Sequence, residues 1–224
     1  MVPFLLHADD LLRGGPWAMR PVRPRRVLLH LLVFVVLFGV FYGAVMGSFG
    51  GVAGRRALQP VYSGVKVPLL LLVTFGLSLP SFFVLNTILG VREDFGHVLR
   101  GLIATQAALT IVLAALAPVT AFWYASSADY ESALMFNAFI FAVASVAAQF
   151  LLRRWYRPLV ARNPRHKSLL RAWLVIYAFV GIQMGWTLRP FVGHPQAETR
   201  FFRQDPWSNA YVHVAEIFWR AVTK

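Results

Sequence analysis

One charged cluster in the sequence mixes acidic and basic side chains: Arg92, Glu93, Asp94 and His97. A carboxylate and an imidazole at this spacing could take up and return a proton during a reaction, which is general acid–base chemistry. On that hypothesis Asp94 and His97 would act on a lipid at one face of a membrane. The competing interpretation, which we favour, is a solvated charged turn between two apolar segments.

Other residues that could do chemistry lack the spacing of known sites. The sequence has no Gly-x-Ser-x-Gly, no His-Glu-x-x-His and no phosphate loop, since the glycine-rich stretch 50–56 lacks the Lys-Ser/Thr ending. It has no cysteine, which excludes disulfides, thiolate metal sites and iron–sulfur clusters. His30 alone lies within an apolar run, without a second histidine to hold haem or zinc. We therefore expect a non-enzymatic protein with no metal and no cofactor.

Polar residues inside the apolar runs are candidates for a solute path. Thr74, Ser78 and Ser81 recur on one helical face, and Gln183 lies in a later run. Hydrogen bonds between helices are the simpler explanation, at about 0.6 kcal/mol each. The middle of every run lacks Asp, Glu, Lys and Arg, which disfavours a proton-driven carrier.

Trp186 and Arg189 end the last apolar run. Tryptophan at head-group level and an arginine reaching outward form an interfacial anchor in many membrane proteins. The functional alternative is an anion contact, with Arg189 bound to a lipid phosphate.

Four glycines in the first apolar run recur at every fourth position: Gly39, Gly43, Gly47 and Gly51. Such spacing predicts one smooth helical face that allows close approach of another helix. The face could pack against a span of the same chain, or it could form an oligomer or line a pore. A weaker pair, Gly181 and Gly185, is a candidate for the matching surface.

These residues must be positioned by apolar segments, because the chain of 224 residues is 58% hydrophobic and 14% charged. Crossing about 30 Å of hydrocarbon takes ~20 helical residues. Five segments meet this length: 27–46, 67–89, 101–120, 133–152 and 172–188. The sequence therefore predicts an all-α, polytopic integral membrane protein with five transmembrane helices.

The arrangement of positive charge predicts the orientation. With the N-terminus in the cytoplasm, 14 of the 22 Lys and Arg residues fall on the cytoplasmic side and 8 on the other. We expect residues 1–26 to be a cytoplasmic segment, 27–188 a five-helix domain in the inner (cytoplasmic) membrane, and 189–224 a tail outside. Arg55 and Arg56 fit this orientation poorly.

Two terminal segments have amphipathic patterns. In the tail, Ser208 can cap a helix whose polar stripe is Asn209, His213, Glu216 and Arg220. Near the N-terminus, residues 3–12 predict a short helix lying on the membrane, with Phe4, His7 and Leu11 on one side.

Three stretches resemble an uncharacterised bacterial family of multi-pass membrane proteins: KVPLLLLVTFGLSLPSFFVLNTILG (66–90), LAPVTAFWYASSADY (116–130) and YAFVGIQMGWTLRPFVG (177–193). The resemblance extends from the first span to the tail and implies a multi-span fold but no activity. Some members of that family carry an automatic actin-binding label, which no motif here supports. The five-span topology is also similar to that of Yip-type membrane proteins.

These patterns leave more than one function open. The first hypothesis is a membrane protein that assembles with or organises other membrane components, with the lipid bilayer, a second copy of itself or other membrane proteins as partners. The alternative is a small permease or channel for a neutral or anionic solute. The net charge of +13 is explained by topology and anionic lipid, so we expect no nucleic-acid binding.

Overall fold

The computed structural model of the chain describes residues 2–15, 18, 24–202 and 212. These residues contain no β-strand. They form the helices α1 (Val2–Leu12), α2 (Pro24–Gly47), α3 (Leu58–Ile88), α4 (Phe95–Ser126), α5 (Tyr130–Arg162) and α6 (Arg165–Thr187). Short 3-10 turns, Gly54–Arg56 and Arg92–Asp94, precede α3 and α4.

The five helices α2 to α6 are long and apolar enough to cross a membrane, with mean hydropathies between 1.4 and 2.5 in their most apolar windows. The predicted fold, an all-α polytopic membrane protein, is therefore confirmed. The predicted C-terminal amphipathic helix, with Asn209, His213, Glu216 and Arg220, lies outside the described residues.

The helices extend well beyond the predicted spans. The fourth span was predicted to end at Leu152, but α5 continues to Arg162 and carries Arg153, Arg154 and Arg157 on its extension. Hydropathy marks the part of a helix that sits in lipid, and backbone hydrogen bonding continues into water where the residues remain good helix formers.

The bundle is built around α2 and α4. Helix α2 packs against both α3 and α4, while α5 packs mainly against α4 and α6 mainly against α3. In the most apolar window of each helix, 67% of α4 is buried but only 17% of α6. Small side chains on α4, including Ala104, Ala107 and Ala108, are fully buried and permit this close packing.

Helix α1 runs antiparallel to α2 and lies beside it. The Phe4 ring centroid lies 4.5 Å from that of Phe34, and the His7 ring lies 5.8 Å from that of His30. Leu11 on the same side of α1 is completely buried. The side that carries Phe4, His7 and Leu11 therefore packs against the bundle.

The alternating helix directions sort the connections into two groups. The end of α1, the α3–α4 turn and the α5–α6 turn share what we call the arginine-rich end. The α2–α3 and α4–α5 connections and residues 188–202 share what we call the tail end. At the tail end, Asp129 caps α5, since its Oδ2 accepts from the Ser132 amide over 2.9 Å. Hydrogen bonds from the Ser132 side chain and then from its amide lower the pKa of Asp129.

Candidate functional site

The glycine face of α2 packs directly against α3. A Cβ at Gly43 would overlap the Ser63 carbonyl, and a Cβ at Gly47 would lie 2.7 Å from the Gln59 carbonyl oxygen. At Gly39 a Cβ would lie 3.3 Å from the ring of Pro68. These three glycines therefore line an intramolecular seam, where α3 occupies the surface that an oligomer would have used.

Gly51 does not belong to this face, and its prediction as a fourth member is wrong. Helix α2 ends at Gly47, and Gly51 adopts a φ of 106° in the following connection with nothing near its Cβ position. The glycines predicted to pack against this face, Gly181 and Gly185, do not contact it. Gly64 of α3 faces the Val40 carbonyl across the seam, whereas Gly181 approaches Thr74 and Gly185 faces open space.

The polar face predicted on α3 is only partly formed. Thr74 and Ser78 are buried, and the Ser78 hydroxyl donates to the Thr74 carbonyl over 2.7 Å. Ser81 is exposed, because the buried side of α3 continues through Phe82 and Asn86 instead. Gln183 is half-buried on α6, where its carbonyl accepts from Thr187.

Deep polar groups elsewhere in the bundle bond between helices. Tyr42 of α2 donates to Asn137 Oδ1 of α5 over 3.1 Å, and Asn137 Nδ2 donates to the Tyr124 hydroxyl of α4 over 2.6 Å. Tyr177 of α6 donates to Gln106 of α4 over 2.7 Å. The tyrosines that bond to Asn137 and Gln106 were not predicted. A tyrosine changes the hydropathy of an apolar run little, and no sequence spacing indicates which residue on another helix its hydroxyl will contact.

Trp186 and Arg189 contact each other at the tail end. The guanidinium carbon of Arg189 lies 3.1 Å from the centroid of the Trp186 ring, a cation–π arrangement, and both side chains are half-buried. The pair thus links the last turn of α6 to the segment that follows it.

That segment is clamped by a polar stripe on α3 that the sequence analysis missed. Gln59, Ser63 and Lys66 are all buried, at helical spacing on one side of α3. Gln59 and Ser63 both donate to the Phe191 carbonyl, and Lys66 Nζ donates to the Pro190 carbonyl over 2.7 Å. The sequence signal that could have revealed this stripe is the helical spacing of Gln59, Ser63 and Lys66 just before the second predicted span.

Two further side chains complete the clamp. Arg56 Nη2 donates to the Phe49 carbonyl over 2.7 Å and to the Gly193 carbonyl over 3.0 Å. The Tyr130 hydroxyl donates to the Val192 carbonyl over 3.3 Å. Arg56, which fits the charge rule poorly, therefore has a structural task in joining the connection before α3 to the segment after α6.

A cavity of about 470 Å³ opens beside the clamp, lined in part by Arg56, Tyr130, His194, Glu198 and Arg200. Arg56 Nε and Nη1 are buried without a hydrogen-bond partner, and Nη1 lies 3.0 Å from the Cβ position of Gly50. Glu198 is engaged with Arg200, at 2.7 Å. The lining of the cavity thus combines two arginines with the aromatic rings of Tyr130 and His194.

No protein-family model, curated protein or solved structure matches this chain. The resemblance to the bacterial family therefore stays a prediction.

The acid–base pair considered from sequence, Asp94 and His97, lies at the arginine-rich end and lines a common cavity there. The Asp94 carboxylate, however, bonds to Nε2 of His166 over 3.0 Å, and His166 is completely buried at the start of α6. Arg165 beside it donates to the Leu89 carbonyl over 3.0 Å. Asp94 therefore helps to fasten the α3–α4 turn to α6.

Proposed function

We propose that this chain is a non-enzymatic, multi-pass protein of the inner membrane, with its N-terminus in the cytoplasm, that assembles with another membrane component. The partner presents an anionic group, which enters the cavity at the tail end. The single observation that carries this proposal is the open cavity itself, whose lining includes the two arginines Arg56 and Arg200.

The chemistry of the cavity favours an anion. A carboxylate or phosphate would be attracted by the positive charge of the Arg56 guanidinium in the lining, and hydrogen bonds between charged partners are roughly twice as strong as neutral ones. The volume of the cavity, about 470 Å³, falls within the roughly 300–1,000 Å³ typical of ligand sites. Arg200 adds a second positive charge at the rim, where it is exposed.

The packing of the bundle supports the same assignment. The glycine face of α2 is filled by α3, so a partner has to use another surface. The cavity is held in shape by the clamp, since Gln59, Ser63 and Lys66 fix the carbonyls of residues 190 and 191. A rigid site loses little conformational entropy when its partner binds.

The test places a photo-crosslinking amino acid at Thr199, in the cavity wall, and irradiates the full-length protein in its native membrane. We expect a discrete adduct that is lost with Arg200→Gln and weakened with Arg56→Lys, because Lys lacks the planar fork of arginine. Lys167→Gln, an equal charge change on exposed α6, serves as the control and should leave the adduct intact. An adduct insensitive to both arginine changes would refute the proposal.

A second candidate, the permease, rests on the Thr74 hydroxyl, which is buried without a hydrogen-bond partner. A solute passing between α3 and α6 could supply the missing partner, since Gly181 of α6 lies beside Thr74. Liposome flux of a neutral or anionic solute that falls with Thr74→Val but not with Thr87→Val, an exposed position on the same helix, would favour it. Absence of flux across a broad solute panel would count against it.

A further inference from the structure

A second cavity, of about 390 Å³, lies at the arginine-rich end and is independent of the tail-end site. Its lining includes Arg154, Trp155 and Arg162 of α5, which share one side of that helix. His97 of α4 and Gly14, just after α1, contribute to the opposite walls. Three separate parts of the chain thus converge on one basic cavity.

The end of α1 closes on Arg154. Arg154 Nη1 donates to the Arg13 carbonyl over 2.8 Å, and a Cβ at Gly14 would lie 2.9 Å from Arg154 Cδ. Gly14 also has a φ of 66°, a conformation that favours glycine. The backbone after α1 is therefore built to approach this arginine closely.

The lining of the cavity includes hydrogen-bond donors without an acceptor, and its acidic group is already engaged elsewhere. The indole Nε1 of Trp155 is buried without a hydrogen-bond partner, and Arg162 donates to no acceptor among the residues that the structure describes. Asp94, the acidic group in the lining, is already bonded to His166. The nearby Asp9 is paired with Arg13 at 2.8 Å.

We propose that this cavity binds a phosphate group, held by the guanidinium groups of Arg154 and Arg162 and by the indole N–H of Trp155. Arginine suits a phosphate because its planar donors match two oxygens at once. The phosphate belongs either to the head group of an anionic lipid or to a free phosphate ion. Because Arg154 also holds the Arg13 carbonyl, the bound phosphate stabilises the docking of α1.

The experiment uses the full chain in nanodiscs of phosphatidylcholine, with and without phosphatidylglycerol, and in phosphatidylcholine with added inorganic phosphate. The readouts are the melting temperature and the hydrogen exchange of residues 2–12. We expect phosphatidylglycerol, inorganic phosphate or both to raise the melting temperature and slow exchange in α1. A response to phosphatidylglycerol alone identifies a lipid head group, and a response to inorganic phosphate identifies the free ion as a ligand.

Two matched double variants separate a site from general charge. All four arginines are exposed, but Arg154→Gln with Arg162→Gln alters the cavity, whereas Arg153→Gln with Arg157→Gln removes the same charge from positions of the same helix outside its lining. The first pair should lower the apparent affinity at least about tenfold, because it removes both charged hydrogen-bond donors to the phosphate. The second pair should retain the response. Equal losses in both pairs, or no response to either ligand, would overturn the proposal.

A third variant tests the indole directly. Trp155→Phe keeps most of the buried ring and removes only the N–H donor, so the fold should persist while the response to the ligand weakens. An unchanged response would remove Trp155 from the proposed site and leave the arginines without the buried donor that distinguishes this cavity from an ordinary basic surface. That result would overturn the assignment of the site.

Discussion

At the scale of single residues, the decisive feature of the bundle is the absence of side chains where α2 meets α3. Gly43 and Gly47 bring the backbone of α2 against the carbonyls of Ser63 and Gln59, and Gly64 of α3 meets the Val40 carbonyl in return. In lipid, such contact is a main source of helix association, because dispersion and close backbone packing replace the hydrophobic effect. These glycines thus hold a monomer together.

The first prediction concerns Gly43→Ala. One methyl group overlaps the backbone of α3 and should lower the free energy of unfolding by about 1–3 kcal/mol, the usual cost of overpacking. The measurement is the fraction of detergent-solubilised protein that stays monodisperse after heating. Gly76→Ala on α3 is the matched control, because its Cβ position contacts nothing within 4 Å. If both variants tolerate heat equally, the seam between α2 and α3 is not as close as described.

A second residue-scale prediction concerns the network of Asn137. Asn137→Leu leaves the hydroxyl of Tyr42 without its acceptor and removes the donor to Tyr124. A double-mutant cycle with Tyr124→Phe should give a coupling of about 0.6 kcal/mol, with about 1.7 kcal/mol as the upper end for such bonds. Ser78→Ala should change stability little, because its hydroxyl bonds only within α3. Additive effects of the Asn137 and Tyr124 changes would show that their bond contributes nothing.

At the scale of elements, the five spans could be predicted because each is a long apolar run, and lipid leaves a helix as the main way to satisfy the backbone. Which helix each span packs against could not be predicted from the sequence. Small residues on α6 looked as suitable for the α2 seam as those on α3, and local spacing does not distinguish Gly64 from Gly181. The stripe of Gln59, Ser63 and Lys66 was missed for a similar reason, since its acceptors are backbone carbonyls of residues 190 and 191, which any sequence would supply.

The clamp leads to a prediction about Lys66→Met. The change removes the bond to the Pro190 carbonyl and the contact of Nζ with the Phe201 ring, 4.9 Å away. Residues 188–202 should open locally, so trypsin should cleave after Arg200 several-fold faster. The melting temperature should hardly fall, because a buried lone charge carries a desolvation cost that methionine does not.

Lys167→Met, on the exposed side of α6, is the control for the loss of a lysine. It should leave cleavage after Arg200 unchanged. Equal cleavage of wild type and Lys66→Met would mean that Lys66 does not hold the segment in place.

At the scale of the whole molecule, the charged residues that the structure describes lie toward the two ends, and each end has a cavity lined in part by arginines. The middle of the bundle is held by glycine contacts and by hydrogen bonds such as that between Tyr177 and Gln106. We infer that this packed interior holds the helices in place and that ligands and partners bind at the two ends. The proposed orientation decides which cavity faces the cytoplasm, so both binding proposals depend on it for their cellular partners.

The last prediction tests that orientation. The chain has no cysteine, so a single introduced thiol is the only one that a maleimide can modify. With the N-terminus in the cytoplasm, Ala128→Cys in the α4–α5 connection should react with a membrane-impermeant maleimide in spheroplasts. Glu93→Cys in the α3–α4 turn should react only after permeabilisation. Leu77→Cys, whose position on α3 is exposed yet apolar, should resist both treatments because lipid covers it. Reversed labelling of the two connections would place the arginine-rich end outside and contradict the charge rule for this protein.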